Sequence, residues 1–402
     1  MHERASTRRP NGDSEVGAWS WRKAGVSLGT YILVYPPPCN ARAAAILHHP
    51  DDALESWGKP MIEAVLEAPH TMTIREAPAP EAGPGEALLA PERVGICGSD
   101  MHAWHGLHPF ITPPVVPGHE FSATVCDAPE GSGYQSGDRV TVEPNLVCGE
   151  CRHCREGRYN ICDTLKVIGC QTPGAMADYL AVPVSKLIPL PDSVNFEDAC
   201  LIEPLAVGIH ALKRARFQAG ESVLILGAGT IGLMCLQAAR ALGAGAKVVT
   251  DLQDWRLELA RSLGADAVTR ADDPDLREAV RRAMGPDGAD IILECVGYPA
   301  AMRQAVEVSR KGGRIVVVGV HGEPVDLNVG LVQDWELDVY GSLMYTREDF
   351  EQALDLIRRG EAQTQPFITH RFPLTEAARA YQTLDDPEAR ALKVLIEVGD
   401  RS

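Results

Sequence analysis

Residues Gly227-Ala228-Gly229-Thr230-Ile231-Gly232 follow the apolar run Val223-Leu224-Ile225-Leu226 and open a helical apolar pattern from Leu233 to Leu242. A strand, a tight glycine turn and a helix in that order build a phosphate cradle. The first Gly permits the turn, the second lets the backbone approach a pyrophosphate, and the third lets helix and strand pack closely. Ala246-Lys247-Val248-Val249-Thr250-Asp251 then reads as a second strand ending in an acid where a ribose diol would be held. The pattern implies a dinucleotide site formed by Gly227, Gly229, Thr230, Ile231, Gly232 and Asp251. Asp251 sets a carboxylate where a 2′-phosphate would sit, which favours NAD over NADP. Arg256 can stack on adenine, pair with a ribose hydroxyl or bind a phosphate, so it leaves the preference partly open.

The chain has 402 residues, 45% of them hydrophobic, and a formal net charge of −17. Its length fits two or three domains. Its acidity argues against nucleic acid or an anionic membrane surface as partner, since both require a basic face. No run approaches the roughly 18–20 apolar residues of a membrane span, and a cytoplasmic protein is expected. Of 11 cysteines, five fall into metal-ligand patterns and the others are scattered. In a chain of this size that pattern suggests metal ligands more than a secreted disulfide scaffold.

Residues 1–60 sustain no helical or strand period. They read as a poorly ordered extension, or as the product of a start codon upstream of Met61. From Met61, short strands with turn signals point to a β-rich, barrel-like domain. From about residue 209 strands and helices alternate, with strands expected at 222–226, 246–250, 289–294, 313–318 and around 337–340. That alternation implies a doubly wound parallel sheet. Beyond about residue 345 come an N-capped helix at Thr346, a helix over 375–384 and a β-like run, 393–396. The expected organisation is a catalytic domain over 61–208 and 345–402, with a nucleotide-binding domain over 209–344.

Cys148, Cys151, Cys154 and Cys162 are spaced to close a tetrahedral thiolate shell from one loop. Four sulfur ligands with no open position make a structural Zn²⁺ site; an iron–sulfur cluster lacks a second cysteine group. A second constellation is dispersed: Cys97 in Gly95-Ile96-Cys97-Gly98-Ser99-Asp100-Met101-His102, the pair His119-Glu120, and Glu203 in Glu203-Pro204-Leu205. One thiolate, one imidazole and one or two carboxylates suit a catalytic zinc that keeps a position for substrate. Singly, each residue has an ordinary structural role open to it: a small core thiol, a turn histidine, a helix N-terminal charge.

Together these motifs resemble the zinc-dependent medium-chain alcohol dehydrogenases, nearest the polyol branch of sorbitol, butanediol and threonine dehydrogenases. The resemblance runs from about Met61 to the C-terminus. It implies an α/β and β fold, a GroES-like catalytic domain interrupted by a Rossmann sheet. It also implies one catalytic and one structural zinc per chain, NAD as cofactor, a small-molecule alcohol as substrate, and a homodimer or homotetramer. By resemblance Cys97, His119 and Glu120 match the catalytic-zinc ligands, and Glu203 matches the acid that joins or replaces a ligand. Ser99 and His102 match the relay that carries the substrate proton to solvent, and Asp100 matches the carboxylate that orients His119. The family usually has Gly where this chain has Ala123, a methyl at a tight spot that removes no ligand. A threonine-type amino-alcohol dehydrogenase is the main rival; a zinc-free reductase would lack the cysteine loop, and a non-catalytic protein would not need Ser99 and His102.

Overall fold

The computed structural model describes residues 60–399; the expectation for residues 1–59 lies outside the described residues. A six-stranded sheet runs in the order Ala267–Arg270, Lys247–Asp251, Val223–Leu226, Ile291–Glu294, Arg314–Val317, Asp338–Gly341, and every pairing in it is parallel. Val223 and Ile225 face one apolar cluster, with Leu233, Leu236 and Val249. Leu224 and Leu226 face another, with Val280, Met302 and Ile315. Alternate side chains of one strand are thus buried on opposite faces. This explains why the strand reads as an unbroken apolar run. The helices Thr230–Ala241, Asp254–Ser262, Leu276–Met284 and Pro299–Val308 cross between the strands. The chain turns outward on both sides of the central strand, the order of a Rossmann sheet.

A second, seven-stranded sheet takes its strands from both ends of the described chain. Ile368–Pro373 and Lys393–Glu397 join Glu86–Gly95, Glu120–Asp127, Arg139–Val142 and Leu187–Pro189, with Leu180–Pro183 also on Glu86–Gly95. Val94, Phe121, Val140 and Ile396 bury its inner side. Residues after the parallel sheet therefore complete the sheet begun before it. The expected GroES-like fold, interrupted by a Rossmann sheet, is the fold observed. No helix among the described residues is long and apolar enough to cross a membrane.

Three details differ from the sequence reading. Residues 86–90 and 93–96 form one continuous strand, which carries Pro91 at an irregularity in its pairing with Glu120–Asp127; such a break is where a strand tolerates proline. Ala267–Arg270 and Ile368–Pro373 are strands that no pattern announced. Both lie at sheet edges and are half exposed, so their composition is mixed. Ala123 lies fully buried in Glu120–Asp127, so the methyl is accommodated within the core.

The helix Ile202–Arg214, which carries Glu203 in its first turn, is fixed by a buried carboxylate. Asp349 receives His210 Nδ1 at 2.8 Å, Lys213 Nζ at 2.8 Å and the Thr346 amide at 2.9 Å. Burial pushes this carboxyl upward, but the hydrogen bonds from His210 and Lys213 prevail and hold it well below the usual range. A depressed native pKa stabilises the fold above the unfolded value near pH 3.9, and that stability is lost as pH falls through the native value. Asp349→Ala is expected to cost about 3–5 kcal/mol at neutral pH. In urea unfolding the gap to wild type should narrow below about pH 4; a gap independent of pH would show that charge is not what Asp349 contributes.

Candidate active site

The short helix Gly98–Trp104 starts at Cys97, whose backbone N–H donates to Asp100 Oδ2 at 2.9 Å. That capping bond turns the carboxylate back toward the helix start. Its other oxygen, Oδ1, faces His119 Nδ1 at 3.6 Å. His119 and Glu120 sit at the entrance to Glu120–Asp127, next to Cys97 because that strand pairs with Glu86–Gly95. One ligand atom each from Cys97, His119 and Glu120 lies within 4.8 Å of the other two. Ser99 Oγ lies 3.5 Å from His119 Nε2. Glu203 is buried close by but stands outside that three-residue set.

Two residues that the sequence did not single out complete the surroundings. Lys393 Nζ donates to Glu120 Oε2 and, at 2.9 Å, to the carbonyl of Ile96; both side chains of the ion pair are 1% exposed. Cys170 Sγ lies 3.8 Å from His119 Nδ1. Lys393 comes from a strand 273 residues away from Glu120, with no local signal of its role.

The electrostatics describe a place shaped for a cation. Burial and then the charge of Glu120 push the Cys97 thiol upward. The same two causes, in the same order, raise Glu203 to about 7, with His119 and the Tyr345 hydroxyl working against them. Glu120 Oε1 and Asp100 Oδ1 are buried without a hydrogen-bond partner. Orphaned buried oxygens and crowded acids are costly unless a positive charge completes them. Sulfur, imidazole and carboxylate donors together fit zinc, and Asp100 stands where a carboxylate orients a ligating imidazole.

Cys148, Cys151, Cys154 and Cys162 converge in a lobe closed by the strand pair Asn145–Leu146 and Lys166–Val167. Sγ of Cys148 lies 3.9 Å from that of Cys154 and 3.5 Å from that of Cys162. Zinc–sulfur bonds of 2.3 Å at tetrahedral angles place sulfurs about 3.8 Å apart. Backbone N–H groups of Cys148, Cys151 and Cys154 point at Sγ of Cys162, Cys148 and Cys151. The Cys148 N–H bond is the main cause that lowers the Cys162 thiol to about 6, while burial and then the Cys151 side chain push the Cys154 thiol up to about 12, so the four thiols share their protons unevenly until a metal displaces them. His153 faces Asp163 at 3.8 Å, outside the sulfur cluster.

In the glycine turn, Gly227 has φ +95°, and a Cβ on Gly232 would lie 1.8 Å from the Gly227 carbonyl oxygen, so neither position admits a side chain. A Cβ on Gly229 would meet no protein atom within 4 Å, so the turn is open at the start of the helix Thr230–Ala241. That open backbone at a helix N-terminus fits a pyrophosphate. Asp251 accepts the Ala228 amide at 2.7 Å and the Gln253 amide at 2.9 Å; each oxygen retains acceptor capacity for a ribose hydroxyl. Arg256 Nη1 stands 3.9 Å from Asp251, and Thr230 Oγ1 donates to the Leu392 carbonyl at 3.2 Å. Ile231 packs on the core.

His102, His105 and His108 separate by their partners. His105 Nε2 meets Asp385 at 2.7 Å, and His108 Nδ1 accepts the amides of Phe110 and Ile111 at 3.1 and 3.0 Å. His102 is half-buried, and burial, then the neighbouring His105, lowers its pKa. Among the aromatic side chains, Trp104 and Tyr345 are buried and Phe110 is 75% exposed.

The model of the alcohol dehydrogenase GroES-like domain matches residues 83–192, and that of the zinc-binding dehydrogenase matches residues 230–359. Sorbitol dehydrogenase of Bacillus subtilis (strain 168) is 34% identical over 346 residues, spanning 84% of this chain and 97% of that protein. The chain belongs to the zinc-dependent medium-chain alcohol dehydrogenase family. The dehydrogenase also resembles 2R,3R-butanediol dehydrogenase from Bacillus subtilis, with TM-score 0.77 and 28% identity over 84% of this chain and 100% of that one. A zinc-binding dehydrogenase from Sinorhizobium meliloti 1021, solved with NADP bound, gives TM-score 0.79 and 33% identity over 85% and 100% of the two chains.

The ion pair behind Glu120 sets an expectation for the metal-free dehydrogenase. Lys393→Met leaves the Glu120 carboxylate buried and unpaired, at a cost of about 3–5 kcal/mol. The double variant Lys393→Met with Glu120→Gln removes both charges and should recover most of that loss in urea unfolding. Equal instability of single and double variants would mean that Lys393 contributes packing and not charge.

Proposed function

We propose that this dehydrogenase oxidises a secondary hydroxyl of a polyol or vicinal diol with NAD, in the cytoplasm. The observation that carries the reading is the convergence of Cys97, His119 and Glu120 around an orphaned Glu120 oxygen, in a chain that also has the open glycine turn. The polyol class is supported by the similarity to sorbitol and butanediol dehydrogenases. In this reading one zinc belongs to Cys97, His119 and Glu120, and a second, structural one to the four cysteines of the lobe.

When bound, zinc supplies a Lewis acid that lowers the pKa of the substrate hydroxyl, and NAD supplies the hydride acceptor. Asp100 holds the imidazole of His119 in one orientation. Lys393 occupies one oxygen of Glu120 and leaves the other free. Ser99, beside His119 Nε2, takes the substrate proton as it hands its own hydroxyl proton outward. His102, kept neutral near pH 7 by its lowered pKa, receives the proton from the interior side and releases it to solvent. Glu203, raised to about 7, is the neighbouring carboxylate that holds a water or takes a transient place among the ligands. The catalytic domain comprises 61–208 and 345–402, and the nucleotide-binding domain 209–344. The outer strand Asp338–Gly341, with Val339 42% exposed, offers an edge for a homodimer or homotetramer.

The direct test is a panel of sorbitol, 2,3-butanediol, threonine and a simple secondary alcohol with NAD. Polyols or vicinal diols should give the highest kcat/KM; preference for threonine would move the assignment to the amino-alcohol branch. Ser99→Ala is expected to lower kcat about 10²–10⁴-fold with zinc content unchanged, and unaltered turnover would remove Ser99 from the relay. Asp251→Ser should shrink the preference for NAD over NADP by roughly tenfold; an unshifted ratio would assign that choice to other groups, Arg256 first among them.

A further inference from the structure

His70, His105 and Asp385 bring one ligand atom each to within 4.8 Å of one another, well separated in sequence and with no part in the mechanism above. His70 belongs to the turn between Met61–Ala68 and Thr71–Ala77, His105 ends the helix Gly98–Trp104, and Asp385 ends the helix Ala377–Asp385. We propose that these three side chains form a further binding site for a divalent transition metal of the zinc class, with its remaining positions filled by water.

The site is held in place beyond simple proximity. Asp385 is aimed by the buried Trp104, whose Nε1–H donates to Oδ2 at 2.9 Å, while Oδ1 meets His105 Nε2 at 2.7 Å. A hydrogen bond of this kind on the far oxygen of a carboxylate is what orients metal ligands. His70 is placed by its backbone: φ is +58°, and its N–H donates to the Trp104 carbonyl at 2.8 Å. The left-handed conformation is unfavourable for a residue with a side chain, and it persists where surrounding structure fixes it. The His70 ring lies edge-on to Trp104 and tilted against His105, each at 5.2 Å between centroids. Two imidazoles and one carboxylate suit zinc with an open position. An ion takes the place of the hydrogen bond between His105 Nε2 and Asp385, and the neutral ring then carries its proton on Nδ1. His70 and Asp385 are exposed, so water reaches the open positions. Occupancy clamps three segments together, one of them the helix that begins at Cys97.

The test uses the full-length protein with its resident zinc, transferred to metal-free buffer and titrated with Zn²⁺ by calorimetry. Wild type should take up one further equivalent per chain, and its thermal midpoint should rise with Zn²⁺ concentration as mass action requires. His70→Asn, which tolerates the left-handed backbone, and Asp385→Asn, which keeps an acceptor for Trp104, should each weaken this equivalent roughly tenfold or more. Resident zinc and turnover should stay at wild-type levels in both. No uptake beyond the resident ions, or undiminished uptake in both variants, overturns the proposal. Because each variant is compared with wild type at this equivalent alone, the result is independent of which alcohol is oxidised and of how many ions are resident.

Discussion

The buried ion pair between Lys393 and Glu120 is the interaction around which the site is assembled. It places a positive charge behind a group of acids and a thiol that would otherwise repel one another in a dry environment. Removing either partner strands a charge, so the pair can exist only if the last strand returns to the sheet begun at Glu86. The interrupted topology is what brings the two partners of this pair together. The parallel sheet is inserted between the segment that supplies Cys97, His119 and Glu120 and the segment that supplies their counter-charge.

Much of this was legible in the sequence because it was local. The glycine turn is read within six residues, and the four-cysteine loop within fifteen. Apolar runs gave the central strands because both of their faces are buried, and Thr346 marked the start of the helix Arg347–Arg358. Ala267–Arg270 and Ile368–Pro373 escaped because a half-exposed strand of mixed composition carries no strong period. Lys393 and Cys170 escaped for a different reason. A lysine in an apolar run and a lone cysteine have no spacing to betray them, and their partners are brought in by tertiary pairing. His105 carries no spacing signal of its own, and only the structure singles it out by giving it Asp385.

The cofactor half shows how a sequence signature and a conformation divide the information. Spacing placed Asp251 at the end of its strand. The structure adds that its carboxylate already ties down the Ala228 and Gln253 amides, so it organises the turn itself. Arg256 Nη1 stands 3.9 Å from Asp251. In the proposed reading, these two residues weigh a free 2′-hydroxyl against a phosphate.

The central claim is that Cys97, His119 and Glu120 hold a metal ion distinct from the one held by the cysteine lobe. Zinc content per chain, measured by mass spectrometry on protein purified without added metal, tests it most directly when wild type is compared with His119→Ala. The account predicts about two ions in wild type and about one in the variant, with the remaining ion released only when the lobe cysteines are modified. Equal zinc content in the two proteins, or a wild type that holds none, would contradict it.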